Sequence, residues 1–245
     1  MAESGGPEGG RTGLANYTFE THYELRHGGS EAFDRFWAAL QESAQRGVAI
    51  ARYVDAADDA GHTRRVVTLP VERLADYGAD RRNEEILRAA LGKDAAGAII
   101  GEFTDAQLSR TSYLRQYRTD LSVNRDHDVR GSAAEVSLVT VIDGQEPAFE
   151  RAWRRAADAY RTIAPRQVVT VARTLVGGGP QFVIARPVQL ELTPLEPAEA
   201  VRRAHGDQAA REFEENLRGV VAAWRTVRYT NLGLDTPGVP QETRR

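Results

Sequence analysis

The sequence predicts an α+β protein built as two tandem βαββαβ halves, with two antiparallel sheets packed face to face as a barrel. Three observations carry this. First, the chain writes one heptad twice, EAFDRFW at 31–37 and PAFERAW at 147–153, so that Trp37 and Trp153 lie 116 positions apart. Further matches follow in the same order. Gly28 pairs with Gly144, VAIARY (48–53) with VTVART (169–174), VVTLPV (66–71) with VIARPV (183–188), LRAALGKDAA (87–96) with VRRAHGDQAA (201–210), and RTDL (118–121) with YTNL (229–232). Self-similarity at a long, slowly drifting offset is the mark of a duplicated unit. Second, each half runs through strand and helix periodicities in the order of the ferredoxin-like split βαβ motif. Third, a sheet covered by helices on one face must bury the other, and two such sheets placed face to face do so.

The division that follows is a polar, Gly-rich tail at 1–16, a first repeat at 17–121, a linker at 122–134 (SVNRDHDVRGSAA), a second repeat at 135–235 and a tail at 236–245. In the first repeat, YTFETHYEL (17–25) alternates apolar and polar residues, as a half-buried strand does. Phe33, Phe36, Trp37 and Leu40 recur at helical spacing behind Ser30, predicting a helix over 30–46. GVAIARYV (47–54) and RRVVTLPV (64–71) are β-branched strands joined by the polar loop DAADDAGHT. Residues 82–109 read as helix broken at Gly92, and 111–121 as the closing strand. In the second repeat, strands are expected near 136–142, 167–175, 181–187 and 224–232, and helices near 146–163 and 197–222. The glycines of VGGGPQ (176–181) fit a tight hairpin turn, since glycine accepts positive φ. A phosphate-cradling loop would open a helix instead.

The bulk properties narrow the function. The 245 residues are 41% hydrophobic and 27% charged with a net charge of −3, an ordinary globular balance. The interleaved charges lack the clustered basic surface that nucleic acid needs. There is no cysteine, which excludes disulfides, thiolate catalysis and Cys-ligated metals. No stretch is apolar enough to span a bilayer, and MAESGGPEGGRTG lacks the apolar core of a signal peptide, so the cytoplasm is the expected location. The expected partner is a small molecule, with neither nucleic acid nor membrane, in a monomer or homodimer. No cofactor and no metal is expected.

A Gly followed by AF..(A/F)W on the first helix, a hairpin, a G..A helix and a closing YRTDLS-like strand (117–122) resembles the dimeric α/β barrel superfamily in internally duplicated form, and within it a group of uncharacterised bacterial proteins. The resemblance covers nearly everything between the tails. It implies relatives among cofactor-independent antibiotic-biosynthesis monooxygenases, muconolactone isomerases, chlorite dismutases and dye-decolorising peroxidases. A shared fold does not carry an activity across. The reading that follows is a small-molecule binder, of the cofactor-independent monooxygenase or isomerase kind. The alternatives are a non-catalytic structural or oligomerising barrel and a haem protein of chlorite dismutase-like type. For haem, the resemblance points to a His in the second half, where His205 is the only one. It precedes Gly206 at a helix end, matches Leu91 in the first repeat, and suits a helix C-terminus by charge.

Candidate site residues come from the strands. Glu20, His22 and Glu24 share one face of the first strand, and at the 116 offset they match Val136, Leu138 and Thr140. A face that is apolar in one half thus carries two carboxylates and an imidazole in the other. Pointed between the sheets, it makes His22 a candidate general base and Glu20 and Glu24 its ligand-binding neighbours. On a solvated edge strand it would be ordinary edge protection. Arg52 and Arg173 match each other mid-strand, facing either solvent or an anionic ligand. Tyr117 and Tyr229 lie on the last strands, either lining the same space or packed in the core. His62 and His127 sit in polar loops without metal-ligand spacing.

Overall fold

The computed structural model describes residues 16–43, 52–57, 63–71, 80–124, 133–188 and 195–230. The first part of the chain runs β1 (Tyr17–Leu25), α1 (Ser30–Ser43), β2 (Arg52–Ala57), β3 (Thr63–Val71), α2 (Asp80–Leu91), α3 (Lys93–Asp105) and β4 (Gln107–Tyr117). The second runs β5 (Ala133–Val141), α4 (Glu146–Ile163), β6 (Thr170–Val176), β7 (Phe182–Pro187), α5 (Pro197–His205), α6 (Asp207–Val220) and β8 (Val221–Thr230). Residues 1–15 and 236–245 of the two expected tails, most of the expected linker with His127, the end of the first expected helix and the loop with His62 lie outside the described residues.

All the ladders are antiparallel, and the strands close into one barrel in the order β1-β3-β2-β8-β5-β7-β6-β4. Where two facing sheets were expected, the strands join edge to edge. Asp55 and Ala56 of β2 pair with Thr230 and Tyr229 of β8, and Leu114–Tyr117 of β4 pair with β6. Closure gives edges partners that two open sheets would leave bare. Along the ring the order β4-β1-β3-β2 is followed by β8-β5-β7-β6, the same pattern of local strand positions.

The helices lie outside, each group on its own stretch of the barrel wall. Odd-numbered β1 residues Tyr23 and Leu25 pack with Phe33, Phe36, Trp37 and Leu40 of α1, Leu87 of α2 and Phe103 of α3. On the other stretch, Val139 and Val141 of β5 and Phe182 and Ile184 of β7 pack with Phe149, Trp153 and Tyr160 of α4, Val201 of α5 and Phe213 of α6. Trp153 also donates its indole N–H to the carbonyl of Leu121 at 3.2 Å. The repeated heptad thus supplies the anchor of α1 and of α4. Each long helical segment breaks at a glycine in the left-handed region, Gly92 (φ 80°) and Gly206 (φ 88°), a backbone geometry that glycine adopts without steric cost.

The turn after β4 is clamped to α4 by charge. Arg118 donates to both Asp120 carboxylate oxygens, at 3.0 and 2.9 Å, and to Glu150. Arg154 adds a bond to Asp120 at 2.9 Å. These bonds, that from Arg118 foremost, pull the Asp120 carboxyl down to about 2 against the opposing effect of burial. A carboxyl with a lowered folded-state pKa stabilises the fold above its unfolded value and loses that contribution as pH falls through the folded value. Wild type is therefore expected to be more stable than Asp120→Asn near neutrality. The difference should shrink between about pH 4 and pH 2, as followed by urea denaturation at each pH.

Candidate ligand site in the barrel interior

Because side chains alternate along a strand, the ladder register fixes which residues share the inner face. Glu20 lies opposite Tyr113 of β4 and Thr68 of β3, and His22 lies opposite Thr111 and Val66. Arg115 shares its face with Tyr113 and stands opposite Thr174 of β6, where a register shift lets one extra β6 residue bulge between Val176 and Thr174. Across the ring, Val136 of β5 lies opposite Val227 of β8, and Val66, Tyr229, Val136 and Val227 form one apolar cluster.

Arg115, Glu20 and His22 form one charged cluster in this interior. The Arg115 side chain is 1% exposed. Its Nε donates to Glu20 Oε2 at 2.7 Å and its Nη1 to Thr174 Oγ1 at 2.5 Å. Thr174 passes a bond on to the carbonyl of Pro180 at 2.6 Å. The guanidinium lies 4.6 Å from the centre of the Tyr113 ring, a cation–π contact. The β6–β7 turn presses on Tyr113: a Cβ at Gly177 would stand 2.3 Å from the Ser112 carbonyl oxygen, so only glycine fits there. His22 meets the same ring edge-on at 5.0 Å, and its Nε2 is 3.3 Å from the Glu20 oxygen that Arg115 also holds.

Burial pushes the Glu20 carboxyl up, but the charge of Arg115 and the hydrogen bond from His22 outweigh it and hold the group below its ordinary range. Glu20 is thus a carboxylate that accepts from the His22 Nε2–H, which fixes the imidazole tautomer and leaves Nδ1 as the basic nitrogen. Among the described residues Nδ1 has no hydrogen-bond partner. Tyr229 is buried, and burial, followed by the nearby negative charge of Glu20, pushes its phenol up to about 12 against the pull of Arg115, Arg64 and Arg225. It stays protonated at neutral pH.

The structure therefore brings together Glu20, His22 and Tyr229 of the sequence candidates. Glu24 lies further along the same face, accepting from Ser109 Oγ at 3.1 Å at an exposed position. Tyr117 shares the face of Arg115, opposite Ala172, and is half-buried. Arg173 lies on the alternate face of β6, 3.8 Å from Glu150 of α4. The expected match of Arg52 with Arg173 is corrected by the ladders. Arg52 lies opposite Thr68, itself opposite Glu20; the same steps from Val136 run through Ala185 to Thr170. The side chain of Arg52 is outside those described.

Haem ligation by His205 does not fit its surroundings. The residue is exposed in the last turn of α5, and Phe149, Trp153, Tyr160 and Phe182 fill the layer between helices and sheet in that half. Among the described residues no group of three or more His, Asp or Glu could hold a metal ion, and no helix is long and apolar enough to cross a membrane. Arg115, Tyr113 and Thr174 escaped the sequence reading. The available signal was the alternation Tyr113, Arg115, Tyr117 in SYLRQY, which puts an arginine between two aromatics on one strand face.

No family model matches the chain, and no curated protein matches it. Solved structures do. A "putative monooxygenase" from Fusobacterium nucleatum aligns with a TM-score of 0.55 at 7% identity, over 93% of this chain and 97% of that one. An anthrone oxidase-like protein aligns with a TM-score of 0.50 at 15% identity, over 87% and 90%. A mutant chlorite dismutase from Candidatus Nitrospira defluvii aligns with a TM-score of 0.51 at 8% identity, over 90% and 94%. At these identities the likeness is one of fold. The class is that of α+β proteins with a curled antiparallel sheet and outer helices, related in fold to those monooxygenase and chlorite dismutase structures.

Proposed function

We propose that the barrel interior binds a small organic molecule and that His22 takes a proton from it, making the protein a cofactor-independent enzyme of the monooxygenase or isomerase kind. One observation carries the reading: a histidine inside the barrel whose Nε2 is held by a carboxylate, with that carboxylate fixed by a buried arginine. A general base needs a set tautomer, a free lone pair and a counter-charge for the imidazolium it becomes, and Glu20 supplies the first and the last. Val66, the ladder neighbour of His22, packs with Val136 and Val227, so an apolar patch adjoins the charged groups and suits a ligand with one polar and one apolar side. The names of two fold relatives, a "putative monooxygenase" and an anthrone oxidase-like protein, agree with oxidation of a small molecule.

A tandem duplication of a ferredoxin-like unit accounts for the lopsided interior. It is supported by the shared strand order, by the left-handed glycines at matching positions, and by hydroxyl pairs at matching ladder sites, Thr21 with Ser112 at 3.1 Å and Ser137 with Thr226 at 3.0 Å. In the second unit Val136, Leu138, Val227 and Tyr229 stand where the first has Glu20, His22, Tyr113 and Arg115. The first unit carries the carboxylate, imidazole and guanidinium, and the second presents Val136, Leu138 and Val227 at the matching sites.

The test is a screen of small phenols and cyclic ketones by ligand-observed NMR on wild type, repeated on His22→Ala. The variant is expected to keep its thermal midpoint within a few degrees while turnover of any substrate found drops about 10²–10⁴-fold. Wild type binding nothing, or the variant binding and reacting equally well, overturns the assignment.

A further inference from the structure

The interior holds a second polar group that the protein does not use. Tyr229 is 7% exposed, packs on Val66 beside Val136 and Val227, and among the described residues its hydroxyl has no hydrogen-bond partner. Tyr229 thus places a donor at the border between the apolar cluster and the charged groups Glu20 and Arg115, where a ligand oxygen can take its hydrogen bond. Val66 links it to the base: it touches Tyr229 and lies directly across the β1–β3 ladder from His22. The negative charge of Glu20 reaches both rings, one through a hydrogen bond and the other through space. The interior thus offers a proton acceptor, His22 Nδ1, and a proton-bearing phenol on either side of an apolar residue.

We infer that Tyr229 is the second catalytic group of this site, donating a hydrogen bond to the carbonyl oxygen of a neutral, enolisable ketone while His22 takes the α-proton. The inference rests on the proposed role of His22. The α C–H bond breaks and its proton passes to His22 Nδ1. The electron pair left on carbon forms the C=C bond of an enolate, and the carbonyl π pair moves to oxygen, where the Tyr229 hydroxyl meets the new negative charge. Return of the proton to the same carbon gives exchange with solvent, and return to a conjugated carbon shifts a double bond. Nothing is oxidised or reduced, so no co-reactant is needed. A donor fixed in a low-dielectric interior stabilises an oxyanion far more than water-exposed donors do. The apolar patch of Val66, Val136 and Val227 favours a ketone fused to or flanked by a ring over a short aliphatic one.

The experiment follows the loss of the α-proton signals of 2-tetralone in D2O by proton NMR, with binding measured by ligand-observed NMR on the same samples. Wild type is expected to bind 2-tetralone and to speed exchange saturably. Tyr229→Phe, which removes only the hydroxyl, should bind within about threefold of wild type yet exchange roughly 100-fold more slowly. His22→Ala should bring exchange to the background rate. Exchange lost in His22→Ala but unchanged in Tyr229→Phe overturns the role of Tyr229 and leaves the base intact. Exchange by wild type that His22→Ala leaves unchanged overturns the base as well. Absence of binding, or binding without exchange by wild type, overturns the substrate class.

Discussion

Arg115→Ala is expected to cost about 3–5 kcal/mol of folding stability, because it strands a buried carboxylate. The Arg115 side chain is almost wholly enclosed and the Glu20 side chain 14% exposed, so water cannot replace the lost partner well. Thr174 loses a bond from the same guanidinium, and Tyr113 loses the cation stacked on its ring. The pH dependence should invert. In wild type burial raises the Glu20 pKa, but Arg115 and His22 together outweigh it and keep it low, so these contacts stabilise above the unfolded value and fade as acid protonates Glu20. Without Arg115, burial dominates and raises the folded-state pKa, so the variant should be best tolerated in acid and lose ground as pH rises. Chemical denaturation at pH 4 and pH 7 checks this: the deficit against wild type should be larger at pH 7. The double variant Glu20→Leu/Arg115→Met should recover most of the stability, since a buried pair replaced by apolar side chains is often neutral. It should not restore the proposed proton exchange at His22, since His22 then has no carboxylate to hold its Nε2–H.

Trp153→Ala is expected to cost a similar amount, about 3–5 kcal/mol, for a different reason. The ring is 1% exposed, lies 6.2 Å from Phe149 and 6.1 Å from Trp224 centre to centre, and ties the segment after β4 to α4 through Leu121. Removing it opens a cavity and leaves a carbonyl without its donor. A loss below about 1 kcal/mol in urea denaturation would show that the repeated tryptophan is not an anchor. No inversion with pH should accompany this loss, since no buried charge is exposed. That separates it from the Arg115 effect.

Much of this was readable in advance. The alternation in YTFETHYEL matches β1 residue for residue, and the helical spacing of Phe149 and Trp153 matches α4 (Glu146–Ile163). Gly92 breaks its helix as expected, and Gly206 divides the corresponding segment of the second half. Two strands start earlier than their local pattern indicates. β4 begins at Gln107, not 111, and β8 at Val221, not 224, because AQLS and VVAA continue a helical pattern and carry little strand signal of their own. There the ladders to β1 and β5 override local preference.

Local periodicity sets the order of elements, the apolar faces that hold the helices, and the grouping of Glu20, His22 and Glu24 on one face of β1. Each is a matter of period along one short stretch, which neighbouring residues settle among themselves. Long-range pairing is what closes the strands into one ring, turns Arg173 to α4 and sets Arg115 against Glu20. Glu20 and Arg115 are 95 positions apart, and their meeting depends on the register of the β1–β4 ladder. A one-residue slip in that register would send every side chain on the strand to the other face. The site is therefore a product of pairing between distant strands, which no local pattern encodes.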